Sequence, residues 1–495
     1  MNFIDSLKSF FYNKTKSTRQ QNRRAVSAGV LDAGSPVQHL AAYWAEAADD
    51  YSDRMADAAT RSLIRARARK EATNNGYAAN AIRAFGNHVI GKHGPQLRIL
   101  PEAGLTREES KKIEFAFWQW QRRTRDAEKL QRAVRALMYD GEAFQRFIFD
   151  PTIELSELNI QEVEAKRVDN PFGSDNPHQI EGIVFDGINP VIYFIQKRTI
   201  NPLYADYQEY EEVPADEVMH LAARTFPEQK RGLPIMASVL RLMADQQLYE
   251  AYTLEAAKAA AKTPMYMYTD VDEIATPEYG ALPAANPGEI NVLAAGWKPF
   301  STEVKYPTAT YSDYENALTQ KQGAGLGTPL GMIQANTSGY NYSSWRGEKQ
   351  NYWVNIGVWQ EAVTTYLMEP RFEKWIQCFA SHADKLDSAR IADNLLRKWD
   401  PWAVPTCWRF EQPPSVDPEK DRKADQIALA LGLTSIHQIC ARDGTDYDDL
   451  LGELEQERKD FPQAQTVAAA GAGVESLLAG LQEDLEQENK DAEKI

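Results

Sequence analysis

Cysteine is scarce in this sequence. The chain has 495 residues but only three cysteines, Cys378, Cys407 and Cys440, which lie far apart and form no Cys-x-x-Cys pair. This spacing argues against a disulfide framework and a cysteine zinc site, and it indicates a reducing compartment such as the cytoplasm. We therefore expect all three cysteines to be small, buried apolar residues.

Long apolar runs and a surplus of positive charge are also missing. No run reaches the roughly 18 residues needed to cross a bilayer, and the basic N-terminal segment has no apolar core typical of a signal peptide. Lys and Arg number 55 against 71 Asp and Glu, so the net charge is −16. A chain this acidic is not expected to grip nucleic acid through a broad basic face, although it can surround nucleic acid.

Motifs for catalysis are absent as well. The closely spaced glycines at 323–327 are followed by Thr328 and Pro329 rather than by the lysine of a phosphate-binding loop, so they more simply permit a tight helix exit. No histidine belongs to a His-Glu-x-x-His motif, and His88 and His93, around a strand-like "VIGK", are weak metal candidates. We expect no catalytic, cofactor-binding or metal-binding residues.

The composition, 43% hydrophobic and 25% charged, is typical of a globular protein. The chain is long enough for two to four structural units. Residues 1–40 are a basic arm, for which a short docking helix and a disordered tail both remain open. From 41 to 150 the spacing is helical, with a break at "NNG" (74–76). Its basic residues can bind phosphate or form a solvated or subunit-pairing helix face. They are Arg61, Arg65, Arg67, Arg69 and Lys70.

The spacing of the apolar residues then changes from helical to strand-like and back again. "QRFIFD", "QIEGIVFD" and "PVIYFIQK", within 145–225, predict antiparallel strands, so the fold class is α+β and mainly helical. An alanine-rich helix is predicted over 234–262, about 44 Å long at ~1.5 Å per residue. Residues 263–302 form a β-rich excursion between helices. An aromatic stripe then predicts an amphipathic helix that ends at Pro370. Its members are Trp345, Tyr352, Ile356, Trp359, Val363 and Tyr366.

The C-terminal part begins with a compact helical unit at 416–460. Gly432 and Gly444 are predicted to end two of its helices, and Thr434 or Ser435 to cap the second. Residues 461–495 are rich in alanine and glycine and then acidic, which is typical of a mobile tail.

Four stretches in this order resemble the portal proteins of lambda-type long-tailed bacteriophages. They are "EATNNGYAANAIRAFGNHVIG" (71–91), "EVMHLAARTFPEQKRGLPIMASVLRLM" (217–243), "GLGTPLGMIQANTSGYNYSSWRGEKQNYW" (325–353) and "VDPEKDRKADQIALALGLTSIHQICARDGTDYDDLLGELEQE" (416–457). The resemblance implies a portal fold with wing, stem, clip and crown, assembled into a ring, usually of twelve copies. The N-terminal arm and the acidic tail do not align with the family.

The resemblance also divides the chain. It implies the following parts: wing at 41–232, stem helix at 233–262, clip at 263–302, a second stem segment and return to the wing at 303–334, tunnel loop at 335–344, long tunnel helix (345–369) and further wing at 345–415, and crown at 416–460.

The tunnel loop is the predicted DNA-facing site. Strong cations in a channel would trap phosphates, whereas uncharged side chains offer weak, exchangeable contacts. Many acidic subunits would repel the duplex and keep it centred. The predicted DNA-facing residues are Asn336, Thr337, Ser338, Tyr340, Asn341 and Tyr342, with Arg346 as the nearest cation at the base of the loop.

The resemblance further implies a function and partners. The ring would form the DNA channel at one capsid vertex, through which terminase packages the genome and through which it is later ejected. Expected partners are the terminase large subunit, head–tail adaptors, and major capsid and scaffold proteins, in the virion and, during assembly, in the host cytoplasm. No membrane partner is expected. Another head–tail connector or capsid component, or a DNA-packaging enzyme, stays as an alternative.

Overall fold

The computed structural model describes most of the chain between residues 57 and 460. The described ranges are 57–154, 156–197, 209–261, 266–269, 297–300, 310–382, 384–398, 404–411, 417–443, 445 and 447–460. The predicted arm (1–40) and tail (461–495) lie outside them. The chain divides into two compact units, Met1–Asp57 with Phe226–Glu228, and Ala58–Thr225 with Gln229–Ile495. Every element described below belongs to the second unit.

Helices dominate this unit. The α-helices are α1 (Ala58–Asn74), α2 (Gly76–Ile90), α3 (Arg107–Arg123), α4 (Asp126–Tyr139), α5 (Leu240–Ala261), α6 (Tyr311–Leu326), α7 (Leu330–Ile333), α8 (Tyr342–Val363), α9 (Glu369–Ala380), α10 (Asp387–Lys398), α11 (Pro418–Ala430), α12 (Ile436–Arg442) and α13 (Tyr447–Asp460). The strands are β1 (Gln96–Ile99), β2 (Glu142–Phe149), β3 (Leu158–Val163), β4 (Gln179–Ile180), β5 (Ile183–Asp186), β6 (Asn189–Gln196), β7 (Tyr210–Pro214), β8 (Val218–Ala222), β9 (Tyr266–Thr269), β10 (Trp297–Phe300) and β11 (Thr406–Arg409).

All strand pairs are antiparallel. One sheet has the order β3-β2-β8 and a second the order β4-β5-β6-β7, while β1 pairs with β11 and β9 with β10. The predicted strands at "QRFIFD", "QIEGIVFD" and "PVIYFIQK" are therefore confirmed. Of the predicted β-rich excursion, the described residues are the β9 and β10 strands.

Local chemistry sets several helix boundaries. At the "NNG" break, α1 ends at Asn74, and the Asn75 side chain accepts hydrogen bonds from the backbone N–H groups of Tyr77 and Ala78 to begin α2. Helix α3 begins with a capping box between Thr106 and Glu109. Since α2 continues to Ile90, the prediction of a strand-like "VIGK" is wrong.

The C-terminal helices begin and end as the sequence indicates. Gly432 has φ of +66° just after α11, and the Ser435 hydroxyl accepts a hydrogen bond from the backbone N–H of Gln438 at 3.2 Å. Ser435 thus caps α12. Gly444 lies outside the described residues.

Two helix predictions need correction. The helix expected from about residue 234 starts as a short 3-10 turn (Ile235–Ser238), and α5 begins only at Leu240. The aromatic helix does not end at Pro370, because a π-helical turn (Thr364–Met368) joins α8 to α9. Pro370 then occupies the first turn of α9, where its missing N–H is not required.

The main core lies between α2, α3, α4, α8 and α9. The Phe117 ring meets Trp375 edge-on at 5.0 Å, and Trp375 stacks on Phe379 at 4.6 Å. On α8, Tyr352, Ile356 and Val363 are buried, whereas Trp345 and Trp359 are half-buried and Tyr366 is 44% exposed. The predicted stripe is therefore confirmed only in part. The cysteine prediction is only partly correct, because Cys440 is buried but Cys378 is half-buried and Cys407 is exposed.

Candidate nucleic-acid interface

The predicted tunnel loop connects α7 to α8. It leaves α7 through Ala335, whose φ is +51°, and the backbone N–H of Asn336 donates back to the carbonyl of Gly331 at 3.0 Å. A second tight turn follows, in which the N–H of Tyr340 donates to the carbonyl of Thr337 at 3.1 Å. The loop is therefore a compact structure with its own hydrogen bonds.

The tip of this loop is polar and exposed. Asn336, Thr337 and Ser338 are all solvent-exposed, and the Asn336 side-chain oxygen accepts from the backbone N–H of Ser338 at 3.0 Å. No charged side chain occurs between Ala335 and Trp345. The tip thus presents hydroxyl and amide groups without net charge.

Tyr340 lies at the base of the loop rather than at its tip. Its hydroxyl accepts a hydrogen bond from the backbone N–H of Gly331 at 3.2 Å, and its ring meets Trp345 at 5.4 Å in an edge-on arrangement. Burial, followed by a hydrogen bond with Glu348, raises the pKa of the Tyr340 hydroxyl. These contacts make Tyr340 an internal support for the loop.

Gly331 is required for this support. A Cβ atom at this position would lie 3.0 Å from Cε2 of Tyr340 and 3.1 Å from Cζ3 of Trp345. These distances are shorter than ordinary carbon–carbon contacts. The absence of a side chain at Gly331 lets both aromatic rings pack against the end of α7.

Asn341, Tyr342 and Arg346 form the junction between the loop and α8. The Asn341 side chain caps α8 by accepting from the backbone N–H of Ser344 at 2.8 Å. The ammonium of Lys420 lies 5.1 Å from the Tyr342 ring centre, and Arg346 pairs with Asp421 at 3.1 Å. Because Lys420 and Asp421 belong to α11, the junction contacts the C-terminal helical unit.

The motif around "NNGYAANAI" holds α7 in place under the loop. The Asn80 side-chain amide donates to the carbonyls of Met332 and Ile333, at 2.7 and 3.0 Å. Next to it, Nδ1 of His88 lies 2.9 Å from the hydroxyl of Tyr352 on α8. Burial is the main cause that lowers the pKa of His88. His88 is thus a packed histidine at a helix contact.

The second of the four stretches (217–243) contributes His220 and Arg231 to a buried ionic cluster. The Arg231 guanidinium donates to both carboxylate oxygens of Glu142, at 2.6 to 3.0 Å, and Nε2 of His220 lies 3.1 Å from the same carboxylate. Arg65 also pairs with Glu142. Burial alone would raise the pKa of Glu142, but Arg231, His220 and Arg65 together lower it well below its usual value.

This cluster corrects part of the prediction for the basic face of α1, because Arg61 and Arg65 are buried whereas Arg67 and Lys70 are exposed, as a solvated face requires. Arg61 pairs with Glu181, and the Arg69 guanidinium makes two 2.7 Å hydrogen bonds to Asp140. Together with Arg65, these side chains connect α1 to the turn between β4 and β5, to the start of β2 and to the end of α4. The sequence could not identify their partners, since the carboxylates lie 71 to 120 residues further along the chain.

Among the described residues, no group of three or more His, Cys, Asp or Glu side chains could hold a metal ion. Within the same ranges, no helix combines the length and apolar character that a membrane span requires.

Comparisons with known proteins agree with the sequence motifs. Residues 39–360 match the family model described as phage portal protein, lambda family. A probable portal protein of Halomonas phage phiHAP-1 is 22% identical over 428 residues, which cover 80% of each chain. Portal protein B of Escherichia phage lambda is 21% identical over 484 residues, 86% of this chain and 89% of the relative.

Solved structures with a similar chain come from gene transfer agent (GTA) particles. The neck of the native particle computed with C12 symmetry gives a TM-score of 0.43 at 12% identity, over 76% of this chain and 92% of that chain. The neck of the empty particle computed with C6 symmetry gives 0.42 at 12% identity, over 77% and 93%. Because the family model matches more than half of the chain, the protein belongs to the lambda family of phage portal proteins and has the role of a portal at the head–tail connection.

Proposed function

We propose that copies of this chain close into a ring, of twelve subunits by analogy with the family, that forms the DNA channel at one capsid vertex. The genome would enter through it during packaging and leave through it during ejection. In this proposal the tip of the loop, Asn336–Ser338, lines the narrowest part of the channel. The observation that carries it is the uncharged, exposed tip on a base fixed by Tyr340 and Asn341.

The physical reason is that a moving polyanion needs weak contacts. Each lysine or arginine that neutralises a phosphate adds salt-dependent affinity, and a ring multiplies every such contact by the number of subunits. Arg346, the cation at the base of the loop, is partly compensated by Asp421. Hydroxyl and amide groups instead form hydrogen bonds that exchange readily with water. Such a surface guides the duplex without holding it.

The geometry divides the predicted DNA-facing residues into two groups. Asn336, Thr337 and Ser338 form the contact surface of the proposal, since their side chains are exposed. Tyr340, Asn341, Tyr342 and Arg346 act as supports, because each contacts another part of the same subunit. We therefore propose that DNA touches mainly the first group.

Family membership supports the remaining assignments. We propose that 41–232 and parts of 303–415 form the wing, 233–262 the stem, 263–302 the clip and 416–460 the crown. The clip would bind the terminase large subunit during packaging and head–tail adaptors afterwards, and major capsid and scaffold proteins would surround the ring. The protein would act as a structural component of the virion, assembled in the host cytoplasm, with energy supplied by terminase.

Electron microscopy of the purified full chain tests the ring. We expect annular particles with a central hole, whereas monomers or closed shells would contradict the proposal.

Site-specific photo-crosslinking tests the loop. A benzophenone amino acid at Thr337 should crosslink to DNA in packaged particles, because the tip would face the channel. The matched control carries the same group at Ile188, which is 80% exposed in the turn between β5 and β6. Equal crosslinking at both positions, or none at Thr337 in particles that contain DNA, would exclude the loop as the constriction.

A further inference from the structure

An open groove with a volume of about 800 Å³ lies between α1, α2, α4 and the adjoining β2–β3 strands. Four arginines line it, on three different helices. They are Arg69, Arg83, Arg132 and Arg135. The chain has a net charge of −16, so four guanidinium groups in one groove are unexpected unless nearby carboxylates neutralise them.

Carboxylates inside the groove neutralise two of these arginines. Arg69 is bound to Asp140 at 2.7 Å, and Arg132 is bound to Glu162 at 2.7 Å. Glu142, also at the groove wall, is occupied by the buried cluster with Arg231. The fourth lining carboxylate, Glu164, is exposed, and its charge contributes to raising the pKa of Arg69.

The other two arginines form no ion pair within the described residues. Arg83 on α2 donates to the Asn80 side-chain oxygen at 3.0 Å, and Arg135 on α4 donates to the Asn87 side-chain oxygen at 2.8 Å. Both acceptors are neutral amides, so each guanidinium keeps its full charge. Arg83, Arg132 and Arg135 line the same groove, and burial, with further effects from Arg132 and Arg83, lowers the pKa of Arg135.

Gly86 determines where Arg135 lies. A Cβ atom on Gly86 would be 2.7 Å from Cγ and 2.8 Å from Nε of Arg135, so the arginine crosses α2 over a position without a side chain. The Nε–H of Arg135 is buried and has no hydrogen-bond acceptor in the described residues. An arginine held in a fixed orientation loses little conformational entropy when it binds an anion.

We propose that Arg83 and Arg135 form a clamp for a carboxylate side chain of a second copy of this chain. The inference rests on the proposed ring, in which each subunit must present two different surfaces to its neighbours. The acidic composition of the chain gives the neighbour many carboxylates to offer. A guanidinium pair binds such groups with charge-assisted hydrogen bonds.

The shape of the site favours a protein side chain over duplex DNA. The phosphates of a duplex lie on a convex surface, whereas Arg135 lines a groove between helices and its Nε atom is shielded from solvent. A single Asp or Glu side chain can enter such a groove. Contact with DNA phosphates is therefore the competing outcome in the experiment.

The first arm of the test is charge reversal in the full chain. R83E/R135E should weaken subunit association at least tenfold, as measured by mass photometry across subunit and salt concentrations. R123E is the matched control, because Arg123 is a half-exposed arginine of α3 with a distant 3.9 Å contact to Glu154. G86A keeps both charges, but its Cβ would displace Arg135 and lie 3.2 Å from the backbone oxygen of Gln131, and it should weaken association to an intermediate degree.

The second arm identifies the carboxylate. Rings assembled from ¹⁵N-labelled and unlabelled R83K/R135K chains are treated with a carbodiimide, which joins an amine to a carboxylate in direct contact. Mixed-isotope crosslinks from the introduced lysines support the clamp and name the neighbour's acidic residue. Crosslinks confined to one chain, or association of R83E/R135E equal to that of R123E, would overturn it while leaving the ring intact.

Two further outcomes separate the hypotheses. If R83E/R135E assembles normally but loses retention of duplex DNA, the groove binds phosphate and the proposed carboxylate clamp is wrong. If the wild-type chain forms no ring at all, the proposed function fails first, and the clamp fails with it.

Discussion

At the scale of single residues, Glu142 joins three segments that are distant in sequence. It lies at the start of β2 and is fully buried, and it binds Arg231, His220 and the backbone N–H of Gly232. Arg65 on α1 completes the cluster. Buried charges of this kind are tolerated only while every member remains paired.

Replacing Glu142 by Gln should therefore destabilise the protein strongly. The variant removes the ion pair of Arg65 and leaves Arg231 with the more distant 3.8 Å contact to Glu181, and breaking a buried pair costs about 3–5 kcal/mol. Urea unfolding of the full chain would measure the change in free energy. E211Q is the control, since Glu211 pairs with Arg146 at the surface and such pairs contribute less than about 1 kcal/mol. Equal losses in the two variants would contradict this account.

Glu250 responds to pH in a predictable direction. Burial, followed by the nearby carboxylate of Glu315 on α6, raises the pKa of Glu250 on α5. The folded protein therefore binds a proton at Glu250 more tightly than the unfolded chain does. The resulting stabilisation is complete below the ordinary pKa of a glutamate and is lost as the pH rises through the raised value.

E250Q should accordingly have a higher melting temperature than the wild type at pH 7. The difference should disappear as the pH falls below about 4.3, the ordinary glutamate pKa, because both proteins are then neutral at this position. Calorimetry from pH 4 to 7 measures the difference between the two chains at each pH. E255Q, an exposed position further along α5, should show no such trend.

Residue pairings were the part of the structure that the sequence could not supply. The basic spacing at Arg61, Arg65 and Arg69 is typical of an exposed helix face, yet these side chains bind carboxylates in the turn between β4 and β5, at the start of β2 and at the end of α4. The sequence contains both the cations and the anions, but only the folded backbone brings them together. Tyr340 illustrates the same limit, because its contact with Gly331 depends on how the loop turns.

At the scale of secondary structure elements, periodicity and capping residues predicted several helix and strand boundaries correctly. The break at "NNG", the change from helix to strand near residue 142 and the cap of α12 by Ser435 all follow from local chemistry. The continuation of the aromatic helix past Pro370 could not be predicted from local chemistry, because a π-helical turn depends on how Leu367 and Met368 pack in the core.

The cap of α2 gives a prediction at this scale. N75A removes the side-chain oxygen that accepts from the N–H groups of Tyr77 and Ala78, and such a loss costs about 1 kcal/mol. N74A is a matched control at the neighbouring position, because the exposed Asn74 side chain only donates to the carbonyl of Lys70. Urea midpoints that shift equally in both variants would show that Asn75 does not act as the cap.

At the scale of the whole molecule, charge determines how the proposed ring treats DNA. Every copy adds a net charge of −16, so the assembly repels a duplex over about one Debye length, roughly 8 Å at physiological salt. The loop tips are the part of each subunit that we place nearest the DNA. Family membership follows from the sequence, whereas the fit between loop and DNA depends on how the copies are arranged.

Placing a lysine at the loop tip should make the channel retain duplex DNA instead of letting it pass. In T337K, each subunit that reaches a phosphate adds about 0.9 to the slope of log affinity against log salt. Wild-type rings should release linear duplex DNA at 150 mM salt, whereas T337K rings should retain it at low salt and lose it steeply as salt increases. Filter binding across a salt series measures both properties.

I188K adds the same charge at a turn far from the loop in sequence and should behave like the wild type, because a lysine must face the channel to touch the duplex. Equal retention by T337K and I188K would mean that net charge alone controls binding, and the loop would then have no special position in the channel.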